Sequence, residues 1–179
     1  MKRLFTLLCA LVLIFSLCAC TGETLVIKTV YKDIPEAKNR GEQLSGNTPV
    51  KVAENDNFSL SVNPENGQFY VENLADGYIY SSSPSGIDED VISNDPVKMQ
   101  AKSVIKITYG DTINRITGDA VSFADSVLNG GHKCFAYENG FLSRYTFSAA
   151  AITVPVLVTL NTDGIDIQIL TGDVEEKGD

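Results

Sequence analysis

The chain has 179 residues and a formal net charge of −9, with 14 Lys and Arg against 23 Asp and Glu. That length suits one domain with tails, and 44% hydrophobic with 21% charged residues is a globular mixture, not a disordered one. The acidic balance excludes a nucleic-acid partner, which needs a basic stripe, and beyond residue 20 no apolar run reaches membrane-spanning length.

The first element is a leader. Met1-Lys2-Arg3 is a short positive start, and residues 4–17 (LFTLLCALVLIFSL) form an apolar run of about 14 residues, the layout of a secretory signal peptide. An uncleaved anchor helix is the alternative. The early stop of the run and the polar Thr21-Gly22-Glu23 weigh against it. Leu17-Cys18-Ala19-Cys20 resembles a bacterial lipobox, with Leu at −3, Ala at −1 and the required Cys at +1. The resemblance implies cleavage between Ala19 and Cys20 and a lipid on the Cys20 thiol. The protein would then be held at the extracytoplasmic face of the cell membrane. Two or more acyl chains anchor stably where one is marginal. Cys18 does not fit the motif, since Leu17 would be at −1, and Cys9 reads as small apolar filler.

Cleavage changes the charge and the thiol count. Of the 14 basic residues, Lys2 and Arg3 leave with the leader, so 12 remain against 23 acidic ones, a net of −11. Cys134 is then the single unmodified cysteine, and an internal disulfide is not expected. On an expected strand Cys134 and His132, two residues apart, share a face. A Cys–His nucleophile is conceivable there, but a buried inert thiol is the simpler expectation, because nothing identifiable would orient the imidazole.

Residues 20–53 are polar, with one apolar patch at 25–31 that suits a short strand, and are expected to form a tether. From residue 54 to 171 the pattern is that of strands. Residues 57–62 alternate, Asn66-Gly67 marks a hairpin, 68–72 returns, 73–77 turns again and 78–81 is a further strand. Residues 82–98, rich in Ser, Pro, Asp and Gly, are expected to be irregular. Strands follow at 102–109, with a turn at Gly110-Asp111 and a partner at 112–117. Residues 119–128 carry the one helical spacing. Strands at 132–138 and 141–147 flank an Asn139-Gly140 turn. Those at 152–160 and 165–170 flank an Asp163-Gly164 turn, with Ile165, Ile167 and Ile169 on one face. Pro155 implies an edge or a bulge. Residues 172–179 read as an acidic tail. The expectation is an all-β protein, an antiparallel β-sandwich with few or no helices.

Two stretches, NDNFSLSVNPENGQFYVENLADGYIYSSSP at 55–84 and FLSRYTFSAAAITVPVLVTLNTDGIDIQI at 141–169, resemble a family of bacterial lipoproteins. These carry a galactose-mutarotase-like β-supersandwich followed by a glycoside-hydrolase-like barrel. The resemblance implies all or part of that supersandwich here. Relatives run on for several hundred residues, whereas this chain ends at Asp179 without a barrel, which implies a truncated or split reading frame. No catalytic residue can be carried over, even if a full-length relative were a glycoside-hydrolase-like enzyme.

The chemistry left to the chain is sparse. A glycosidase needs two carboxylates at fixed separation. Asp88, Glu89, Asp90 and Asp95 lie in a loop that reads as solvated, with calcium ligation the alternative. Tyr78 and Tyr80 alternate onto one face, and with Phe69 and Tyr70 they are expected to pack in the core. Contact with a glycan is the alternative for Tyr78 and Tyr80, weakened by the absence of Trp. There is no phosphate cradle and no zinc-spaced His/Cys set, so no metal or cofactor is expected. With one His and no triad, catalysis is not expected either. The expected function is a lipid-anchored, non-catalytic β-sandwich associated with carbohydrate. The alternative is a structural module packing on a separately encoded barrel, or a remnant of such an enzyme.

Overall fold

The structure is a computed structural model that describes residues 41–111 and 116–177. The leader, Ala19, Cys20 and the strand expected at 25–31 lie outside the described residues. The described chain is all-β. Its strands are β1 (Gln43–Leu44), β2 (Val50–Glu54), β3 (Phe58–Val62), β4 (Phe69–Asn73), β5 (Ile79–Ser81), β6 (Lys106–Asp111), β7 (Ile116–Val121), β8 (His132–Tyr137), β9 (Gly140–Phe147), β10 (Ile152–Asn161), β11 (Gly164–Ile169) and β12 (Glu175–Glu176). Two short helices, α1 (Asp95–Ala101) and α2 (Ser122–Asp125), interrupt them.

All pairings are antiparallel. One sheet runs β1-β8-β9-β10-β11, with β12 also on β10; a second runs β2-β3-β4-β5; β6 and β7 form a ribbon. The two larger sheets pack face to face. The alternation read from the sequence decides what lies between them. Phe141, Tyr145 and Phe147 of β9 and Val154, Val156 and Val158 of β10 share a face and meet Leu60, Val62, Phe69 and Val71 of the second sheet in one core. Burying each such side chain stabilises by roughly 1.5–3 kcal/mol. The opposite face of β9 and β10 is also apolar. Leu142 and Leu157 are covered there by Leu170, which explains why β10 reads as a near-continuous hydrophobic run.

Pro155 lies in β10, inside the larger sheet and neither at its outer edge nor on a bulge. Its carbonyl accepts from Leu170 N–H at 3.1 Å, so its missing N–H faces the same side. On that side β12 pairs Ile152 and Thr153 while β11 starts at Val156. The proline lies in the two-residue gap, Val154 and Pro155, where β10 changes partners on that side.

Several segments depart from the sequence reading. Within the stretch expected to be a tether, β1 pairs with Cys134 and Phe135, and β2 pairs with β3. In the stretch expected to be an acidic tail, Glu175 pairs with Thr153 and forms a 2.5 Å ion pair with Arg144. The irregular stretch 82–98 ends in α1, whose start is set by the Asn94 side chain accepting from Val97 N–H at 3.1 Å and by Pro96 in the first turn. Residues 102–105 stay out of β6 because Ser122 Oγ takes the Val104 and Ile105 N–H groups at 2.9 and 3.2 Å. β6 continues through Gly110 and Asp111, where a turn was expected, and Asp111 pairs with Ile116 of β7. Of the helical stretch 119–128, residues up to Val121 belong to β7, and α2 supplies one turn.

Candidate functional site

The acidic loop is held at its base. Lys102 forms an ion pair with the Asp88 carboxylate, and Lys98 Nζ donates to the Asp88 carbonyl at 3.0 Å. Asp90 accepts from Ile92 N–H at 2.8 Å, and hydrogen bonds from the Ser93 side chain and from Ile92 hold its carboxyl below the usual range. Asp95 lines a cleft of about 430 Å³ between α1, the β6–β7 ribbon and α2. The other carboxylates of that cleft are engaged. Asp119 pairs with Lys106 at 2.6 Å and accepts from Thr108 at 2.7 Å, both of which lower its pKa. Asp125 accepts from Val121 N–H at 2.7 Å. Among the described residues no group of three or more His, Cys, Asp or Glu is placed to hold a metal ion, and no helix is long and apolar enough to cross a membrane.

Cys134 and His132 do share a face, but they do not pair. His132 Nδ1 lies 3.1 Å from the Glu65 carbonyl and therefore carries the proton, since a carbonyl only accepts. Nε2, also 3.1 Å from its partner, accepts from Ser143 Oγ. The orienting group that the sequence did not reveal is thus a backbone carbonyl from the β3–β4 turn. This Ser–His pair is a structural contact, because Ser143 is fully buried. Burial pushes the His132 pKa down to about 4 and the Cys134 thiol up to about 11. The Tyr145 hydroxyl, beneath the same turn, is raised well above its usual value, also by burial. At neutral pH the cluster carries no charge.

Tyr78 and Tyr80 fall elsewhere than expected. Tyr80 is paired with Val71 and Val71 with Leu60, so the two tyrosines continue the face that forms the core. Phe69, on that same face, is buried against Phe141 with ring centroids 5.9 Å apart. Tyr78 and Tyr80 are nonetheless 59% and 57% exposed. The core expectation holds for Phe69 and fails for these two because β5 is the outer strand of its sheet and the facing sheet does not extend over it. Their rings meet edge to face, with centroids 4.7 Å apart and planes at 68°.

Among the described residues, no strand pairs with the outer edge of the strand beneath them. Tyr78 carbonyl accepts from Asn73 N–H at 2.9 Å and Ser82 N–H donates to Phe69 carbonyl at 3.0 Å. Tyr78, Tyr80 and Ser82 therefore bond inward, and the backbones of Ile79 and Ser81 face outward. Asp76 Oδ1 accepts from Tyr78 N–H at 2.9 Å, which fixes a carboxylate at the start of this edge. Ile79, on the opposite face, is 56% exposed and sits across from Glu72.

A second uncovered strip escaped the sequence reading. Ile165, Ile167 and Ile169 do share a face, and it is the inner one, opposite Leu160, Val158 and Val156. Ile165 packs on the core, but Ile167 and Ile169 are 54% and 49% exposed. Like the tyrosines, they lie on an outer strand whose inner face the opposite sheet does not reach. The chain matches no protein-family model, no curated protein and no solved structure.

Proposed function

We propose that the chain is a lipoprotein anchored through Cys20 to the extracytoplasmic face of the cell membrane. Its β-sandwich is a non-catalytic module that contacts carbohydrate through Tyr78 and Tyr80. The observation that carries this reading is the exposed, edge-to-face tyrosine pair along the outer strand of its sheet. Aromatic faces take up the apolar C–H face of a sugar ring, and the outward backbone of Ile79 and Ser81 offers donors and acceptors to its hydroxyls. The leader and the lipobox resemblance support the anchor. The test is binding of the full mature protein, in detergent, to a panel of oligosaccharides. Retention that is lost in Tyr78→Ala and Tyr80→Ala supports the reading, and an empty panel rejects it. Labelling with palmitate tests the anchor, and label persisting in Cys20→Ala rejects the lipobox.

Ile167 and Ile169 favour a second reading, a structural module whose uncovered inner face packs on a separately encoded glycosidase-like barrel. A purified barrel of that kind showing no affinity for the full chain excludes it.

A further inference from the structure

We propose that the Tyr78–Tyr80 corner selects saccharides by charge, taking an amino sugar with a protonated amine in preference to a neutral sugar and rejecting acidic ones. The proposal rests on the carbohydrate reading of the same corner and adds the class of ligand.

Charge carries it. Between Lys51 and Lys98 the chain contains no Lys, Arg or His, and it carries nine carboxylates: Glu54, Asp56, Glu65, Glu72, Asp76, Asp88, Glu89, Asp90 and Asp95. This stretch is β2 to β5 with their turns and the loop that follows. Of the flanking lysines, Lys51 is paired with Glu54 at 2.6 Å, while Lys98 donates to the Asp88 carbonyl and keeps its charge. The stretch is therefore strongly negative in sum, and its field opposes a uronate or sulfated sugar on the tyrosines.

The local geometry points the same way. Tyr78 and Tyr80 present ring faces whose quadrupole is negative, and an ammonium within about 6 Å of such a face is attracted. The Asp76 carboxylate is fixed on the Tyr78 backbone through Oδ1, at the start of the same edge. An exposed aromatic face next to a positioned carboxylate suits a protonated amine carried on an otherwise hydroxylated, stackable ring. A second copy of this chain is a poor occupant of the edge, because it would bring the same nine carboxylates with it.

The test uses three oligosaccharides of equal length: a glucosamine oligomer, its N-acetylated counterpart and a uronate oligomer. Binding to the full mature protein in detergent is measured at low ionic strength and again at about 0.5 M salt, where the Debye length shrinks several-fold. The glucosamine oligomer is expected to bind roughly two- to fivefold tighter than its N-acetylated form, the scale of one exposed cation–π contact. The uronate is expected to bind weakest, and high salt to compress the order. Asp76→Asn keeps the side-chain oxygen that holds the turn and is expected to narrow the gap between amine and N-acetyl. Three equal affinities, or uronate binding tightest, overturn the charge proposal while leaving the carbohydrate reading in place if Tyr80→Ala still abolishes binding. No binding by any oligomer, or binding indifferent to both tyrosines, overturns both.

Discussion

His132 Nε2 accepts from Ser143 Oγ while its Nδ1–H donates to the carbonyl of Glu65, so one imidazole ties the β3–β4 turn of one sheet to the inner face of the other. The ring also lies 4.8 Å from that of Tyr145. The contact is made by a neutral histidine. The unfolded chain protonates His132 near pH 6.5, the folded protein only near pH 4. Between those values the unfolded state binds more protons, so stability rises with pH across the window. It is undiminished above about pH 6.5 and falls as pH drops toward 4, by roughly 3 kcal/mol at about 1.4 kcal/mol per unit. Urea midpoints at pH 7 and pH 4.5 measure this, and His132→Gln is expected to shrink the difference. An unchanged difference in His132→Gln shows that other groups carry it.

The turn that His132 holds depends on Gly67. Its φ is +73°, and a Cβ there would lie 2.1 Å from the Tyr145 hydroxyl oxygen and 2.9 Å from His132 Nε2. Gly77 has nearly the same φ, +71°, with nothing within 4 Å. Gly77→Ala is therefore expected to cost about 1–2 kcal/mol, the left-handed backbone alone. Gly67→Ala adds overpacking against a filled core and is expected to cost at least about 2 kcal/mol more. Paired denaturation curves separate the two effects, and equal costs would show that the turn can lift off Tyr145 freely.

Cys134 is 1% exposed with its thiol pushed up to about 11. A thiolate is the reactive form, so a thiol reagent at pH 8 is expected to modify Cys134 no faster than the protein opens. Labelling should become rapid in denaturant. Fast labelling of the native protein would place the thiol at an open site.

Phe69 and Tyr80 occupy the same face of one sheet with opposite exposure, 7% against 57%. Phe69→Ala is expected to cost about 3–5 kcal/mol, as a cavity beside Phe141. Tyr80→Ala is expected to stay within about 1 kcal/mol. A thermal scan of both variants tells the difference, and a large loss in Tyr80→Ala would mean that the ring is covered in solution.

Most strands were legible because their signals are local. Two-residue alternation in Phe58–Val62, Phe69–Asn73 and Gly164–Ile169, and turn pairs such as Asn66-Gly67 and Asn139-Gly140, act over a few residues and need no distant partner. α1 was hidden by its composition. Ser, Pro and Asp signal a loop, yet Asn94 and Pro96 are also what a helix start requires. β1 and β12 are two residues each, too short to show a period, and exist because β8 and β10 offer unpaired backbone beside them. The Glu65 carbonyl as a partner for His132, 67 residues away, leaves no trace in local spacing.

The amino-acid sequence by itself determined the class of fold, the faces of the strands and the acidic charge, because each follows from residue type and near-neighbour order. Only the tertiary structure decided which faces are covered. Tyr80 and Phe69, or Ile167 and Ile165, carry the same pattern and the same facing, and differ only in whether the opposite sheet reaches them. Burial is a property of two surfaces meeting, and a strand encodes only one of them.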